Sequence, residues 1–241
     1  MKYKILTLLI LIFLGISKVP AQFKQDVSTI DYSKLSINGI TISKSIIDSI
    51  QTQTKKKFEL LKFYHWRDSI IDTTNYGYWD TISNGIVIKG LDPDIANYIL
   101  DKYSELLSSE DNFIYLTNLV IKENFLIKNH YKTKRFVDVA IIKAKNQYEA
   151  IKIVGTESLN YDISNQKIID KLKYWDSSMG LKIWYMDQNR IESKILNLPK
   201  NLKKLAKEID EFSPDAKKHY GSLEVMIENC LKQNELLLLW E

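Results

Sequence analysis

From Gly85 onward the chain alternates between two hydrophobic periods. "GIVIKG" (85–90), "NFIYLTNLVI" (112–121) and "RFVDVAIIKA" (135–144) are short apolar runs of strand length. Between the first two, Asp92-Pro93 opens a helix with proline at its first position and a stripe expected on Ile95, Ile99, Tyr103 and Leu106. "NQYEAIKIV" predicts a short helix. Ser164 then caps a longer one on Ile168, Ile169, Leu172 and Trp175, with Gly180 placed to end it. "LKIWYMD" and "RIESKILNL" predict a hairpin around Gln188-Asn189. Pro199 is expected to start a helix carrying Leu202, Leu205, Ala206, Ile209 and Phe212. A second helix is expected on Leu223, Met226, Ile227, Cys230 and Leu231, and "ELLLLWE" closes the chain as a buried strand. Strands and helices in this order predict an α+β fold: a mixed sheet with helices packed mainly on one face.

The first third is less regular. Residues 22–84 are expected to form an N-terminal extension ahead of the α+β domain at 85–241, with a helix near 43–57 and a loop or strand edge at "TTNYGYW" (73–79). Residues 1–21 read differently again. Lys2 and Lys4 precede an apolar run from Ile5 to Ile16, and small residues end the segment at Ala21. This is the order of a secretory signal peptide, and the run falls short of the roughly 20 residues a membrane span needs. The expectation is an exported protein, periplasmic or secreted, that starts at Gln22 and keeps no stable span after cleavage. No cysteine follows the cleavage position to carry a lipid anchor.

Export changes the charge argument. The chain has 34 basic and 30 acidic residues, but three lysines fall within 1–21, leaving 31 against 30. The bulk charge therefore gives no basic face for nucleic acid. The single cysteine, Cys230, excludes an internal disulfide, and about 220 residues are enough to bury a core without one.

Catalytic chemistry is sparse. No G-x-S-x-G elbow or glycine-rich phosphate loop occurs. Cys230 falls in a helical apolar stripe, as a packed cysteine does. His65, His130 and His219 are far apart and no metal-spaced motif is present, so neither a metal nor another cofactor is implied. Asp92, Asp94 and Asn97 read as helix-start residues and not as a calcium loop. The catalytic candidates are Ser213, Asp215 and His219, which surround one turn, with Glu211 and Asp215 as a carboxylate pair. Within "EFSPD" (211–215), however, each residue of Ser-Pro-Asp also has a helix-boundary role. The binding candidates are Lys128, Tyr131, Lys132, Lys134 and Arg135 in "KNHYKTKRF", and the aromatic run Tyr76, Tyr78 and Trp79.

"IKIVGTESLNYD" (151–162), "IIDKLKYWDSSMGL" (168–181), "NLPKNLKKLAKEIDEFSPD" (197–215) and the ending "GSLEVMIENCLKQNELLLLWE" together resemble the bacterial domain-of-unknown-function family numbered 4253. The resemblance covers roughly 141–241, and 85–140 more weakly. Its markers are Gly-Thr followed by Asn-Tyr-Asp, the Phe-x-Pro-Asp turn and the Leu-Trp-acid end. The resemblance implies a shared fold and no activity. The chain departs from the family pattern in three places: Ser213 stands where the family usually has Cys, Lys217 to Gly221 replaces a Gln-Gly loop, and Leu239-Trp240 replaces two tryptophans. Export, the missing catalytic constellation, the near-neutral charge and the many Tyr and Trp residues predict a non-catalytic binding or interaction module of the cell envelope, with another protein as partner. The alternatives are a hydrolase with its site near the Ser213 turn and an immunity-type inhibitor of a toxin.

Export makes a direct prediction. Mass spectrometry of the protein isolated from its own cells should find its first residue at Gln22; an intact N-terminal segment would contradict the expectation.

Overall fold

The structure is a computed structural model that describes residues 34–37, 39–67, 76–124 and 132–240. Its centre is a seven-stranded mixed sheet, in spatial order β3-β4-β6-β5-β7-β8-β9. These strands span Glu59–Arg67 (β3), Tyr76–Leu91 (β4), Asn112–Asn124 (β5), Lys132–Lys143 (β6), Leu181–Met186 (β7), Arg190–Ile195 (β8) and Glu235–Leu239 (β9). All neighbours are antiparallel except β5 and β7, which run parallel. A separate hairpin, β1 (Lys34–Ile37) and β2 (Ile40–Ser43), precedes the sheet.

Strand alternation divides the apolar residues between two cores. Val87, Tyr115, Ala140 and Ile142 face one side, and Ile86, Ile88, Ile114, Leu116, Val139 and Ile141 face the other, as a period of two requires. Five helices supply the first core: α3 (Gln147–Val154), α4 (Asn165–Met179), α5 (Leu202–Phe212), α6 (Pro214–Tyr220) and α7 (Leu223–Asn229). The second core is covered by α1 (Lys44–Thr54), α2 (Pro93–Ser108) and the β1–β2 hairpin. The fold is α+β, and the larger group of helices lies on one face.

Asp138 is a buried charge amid the apolar residues of β6. Its two carboxylate oxygens accept from the Gly90 backbone N–H at 2.6 Å and the Asn118 side-chain amide at 2.9 Å. The registers of β4 and β5 both shift opposite this position, between Ile88 and Leu91 and between Thr117 and Val120. Buried carboxylates need such partners, and bulges in both neighbouring strands bring the donors in.

β4 spans positions 84 and 85, and α1 shares a core with it through Ile46, Ile47 and Ile50. Several elements differ from the expectation. Tyr76, Tyr78 and Trp79 stand in β4, paired with Arg67, His65 and Tyr64 of β3. The buried stripe of α2 is Ala96, Ile99, Leu100, Tyr103 and Leu107, whereas Ile95 and Leu106 are 42% and 52% exposed. The small Ala96 lets the helix turn that face to the sheet. α5 starts at Leu202 and not at Pro199, because Asn201 caps it by accepting from the Lys204 N–H. The last predicted helix stops at Asn229. Cys230 leaves helical geometry, and Asn234, in the left-handed region, turns the chain into β9.

Ile141 is fully buried on the central strand. Ile141→Ala should cost about 2–5 kcal/mol in equilibrium denaturant unfolding, and a loss below about 1 kcal/mol would contradict its place in the core.

Candidate functional site

The turn after α5 is where the distant parts of the chain meet. Ser213 ends α5, with its N–H on the Ile209 carbonyl, and stands at the N-cap of α6 without capping it. Its hydroxyl turns instead to the outer edge of β9, donating to the Leu239 carbonyl at 2.8 Å and accepting from the Leu239 N–H at 2.7 Å. A serine hydroxyl both donates and accepts, so one side chain satisfies a sheet edge that would otherwise offer itself for pairing. The Trp240 indole donates to the Phe212 carbonyl and its ring meets Phe212 edge-on.

Asp215 is buried at the same turn. It accepts from the Tyr161 hydroxyl, 2.9 Å from each carboxylate oxygen, and pairs with Lys218 one turn along α6. Tyr161 ends a short 3-10 turn (Leu159–Tyr161) in the loop after α3. That loop is anchored to the β7–β8 turn: the Thr156 hydroxyl donates to the Asp187 carbonyl and the Glu157 N–H to the Gln188 carbonyl. The Gly-Thr…Asn-Tyr-Asp segment, the Phe-x-Pro-Asp turn and the Leu-Trp end thus form one clasp.

The clasp does not bring the catalytic candidates together as a site. Ser213 is buried and its hydroxyl is engaged at Leu239. His219 is exposed, with its ring against Tyr220, and Glu211 points to solvent. Cys230 is buried, its thiol donates to the Glu235 carbonyl, and burial pushes its pKa up. Among the described residues no three His, Cys, Asp or Glu side chains are grouped to hold a metal ion, and no helix is long and apolar enough to cross a membrane. Of the binding candidates, Lys128 and Tyr131 lie outside the described residues. Lys132 and Lys134 fall on β6, opposite Asn124 and Lys122 of β5, and Arg135 is exposed opposite Ile121.

A second feature was not anticipated from sequence. β5 and β7 pair directly at Leu116 and Tyr185, where the Leu119 N–H also reaches the Tyr185 hydroxyl. Toward the start of both strands the sheet opens into a cavity of about 900 Å³, walled by α2, the start of α3 and β7. In the gap, Gln147 donates from its side-chain amide to the Leu181 carbonyl and accepts from the Ile183 N–H, both at 3.0 Å. Beside it, the Tyr148 hydroxyl donates to Asp176, which also accepts from the Leu181 N–H. Burial and the Asp176 carboxylate raise the Tyr148 pKa, keeping it protonated.

A cavity of about 380 Å³ adjoins the first, sharing Leu100 and Lys182 with it and adding Asn97, Asp101, Trp184, Lys194 and Glu235. The two form one groove along α2. Alternation along β7 turns Trp184 to the α2 side, opposite Ile183, and the register shift between Ile183 and Tyr185 brings Tyr185 to that same core.

Residues 138–241 match the model of a domain of unknown function, DUF4253. The matched part begins within β6 and holds the whole clasp, together with Lys145, Gln147 and β7; α1, α2 and β1 to β5 lie outside it. Comparison with curated proteins and with solved structures finds no match.

The clasp yields a stability prediction. Ser213→Ala leaves the Leu239 N–H and carbonyl without their partner and should cost about 1–3 kcal/mol, with Ser213→Cys retaining part of the bond. An unchanged denaturation midpoint for Ser213→Ala would contradict the assigned role.

Proposed function

We propose that this protein is a non-catalytic binding module of the cell envelope whose partner is another protein. One observation carries the reading: an open groove of ligand-binding size, lined by an aromatic side chain and by charges of both signs, in a fold whose candidate nucleophile, at a separate turn, is committed to hydrogen bonds with Leu239. Pockets that bind specifically combine apolar walls with a few placed polar groups. The groove has Leu100, Ile114 and Trp184 for the first and Glu105, Lys145 and Lys182 for the second. The signal-peptide pattern of residues 1–21 supports an envelope address. Inhibition of a toxin is a specialised form of the same reading.

The protein, tagged and isolated from its own envelope extract, should retain one protein in stoichiometric amount, and the purified pair should re-form. If no protein is retained, and a hydrolase screen finds an activity that His219→Ala removes, the hydrolase alternative replaces this reading.

A further inference from the structure

Four exposed charges face the groove with no ion-pair partner among the described residues. Asp101 and Glu105 stand one turn apart on the α2 wall; Lys145 and Lys182 line the other side, before α3 and on β7. Like charges four residues apart on a helix repel and destabilise it slightly; Lys102, on the same helix, turns its ammonium to the Tyr98 and Tyr103 rings and forms no ion pair with either carboxylate. In contrast, Lys194 and Glu235 at the far end of the groove are paired with each other at 3.2 Å. The groove therefore has an acidic wall and a wall with two lysines, none of the four in an ion pair among the described residues.

The floor adds a second observation. The Gln147 amide makes, with Leu181 O and Ile183 N, the carbonyl and N–H bonds that a neighbouring strand would make with β7. A side-chain amide here stands in for a peptide unit, at the place where β5 has separated from β7. The wall from Asn97 to Ser109 runs about 18 Å at helical rise. That length accommodates about five residues of extended chain, far more than a single amino acid.

We propose that this groove binds an extended peptide segment of the partner protein. The segment directs a basic side chain to Asp101 and Glu105 and an acidic one to Lys145 and Lys182, and lays an apolar side chain on Trp184 and Leu100. The proposal rests on the binding-module reading and names its site. Because Gln147 already occupies the Leu181 carbonyl and the Ile183 N–H, the peptide is held through its side chains, which also give its specificity. Opposed charges across the walls fix the direction of the chain and suppress wrong partners.

The test uses the protein isolated from its own cells and a displayed library of random heptapeptides. Enriched sequences should carry both a basic and an acidic residue. As synthetic peptides with blocked ends they should shift the Trp184 indole resonance and bind less tightly as salt rises. The double variants Asp101→Lys/Glu105→Lys and Lys145→Glu/Lys182→Glu should each weaken binding at least tenfold, with unfolding midpoints unchanged because all four side chains are exposed. Exchanging the peptide's acidic and basic residues should recover binding when both wall pairs are reversed together. Failure to enrich any peptide, tight binding indifferent to both reversals, or equal competition by free lysine or glutamate would overturn the proposal, the last in favour of a small zwitterionic ligand. If a captured partner binds both reversed variants as well as the unaltered protein, the module uses another surface: the groove proposal falls and the binding-module reading stands.

Discussion

Two-sided burial of the central strands is the constraint from which the rest of the architecture follows. From Val137 to Ile142 every residue of β6 is buried, and alternate residues face opposite cores. A strand of this kind cannot leave either side to water, so the sheet takes helices on both faces. Asp138 is the one charge in that run, and it is kept by two hydrogen bonds that bend both adjacent strands around it. The β5 bulge that results places the Leu119 N–H on the Tyr185 hydroxyl. It thereby ties the two halves of the sheet at one end, while the other end parts around Gln147.

The free edge of β9 presents the opposite problem. A strand with one neighbour exposes backbone groups, and here the covering comes from the turn between α5 and α6. Ser213 is therefore better understood as a surrogate strand partner than as a nucleophile. A thiol at this position would have a similar shape but make weaker hydrogen bonds. Asp215 continues the same logic: its carboxylate holds the loop after α3 through Tyr161, and that loop holds the β7–β8 turn.

Local patterns made much of the second half legible. The stripe Ile168, Ile169, Leu172 and Trp175 and the hairpin around Gln188-Asn189 depend on neighbours within one element, and both stand where the sequence put them. The stripe of α2 was misplaced because apolar residues also occupy its solvent face, so periodicity alone could not choose between Ile95 and Ala96. β3 and the first half of β4 mix charged, aromatic and glycine residues, and their strand character becomes evident only when they pair with each other. Tyr161 and Asp215 are 54 positions apart, and the groove's four unpaired charges come from one helix, the turn before α3 and a strand. Such sites carry no signature in a linear reading. The one available hint was the set of short family markers, spread along the chain, that converge in the clasp.

The division between matched and unmatched residues separates two roles. Everything in the clasp lies within 138–241, and its hydrogen bonds are directed to backbone and turn closure, as in a part that holds a fold together. The groove is composite. Its basic wall, Gln147 and β7 belong to the matched part, but its acidic wall is α2, which precedes it. A domain with a different helix at that place would keep the floor and the two lysines and lose Asp101 and Glu105. The peptide proposed for this groove would owe its basic position to α2, outside the matched residues, and its acidic and apolar positions to Lys145, Lys182 and Trp184 within them, so the match covers only part of the proposed site.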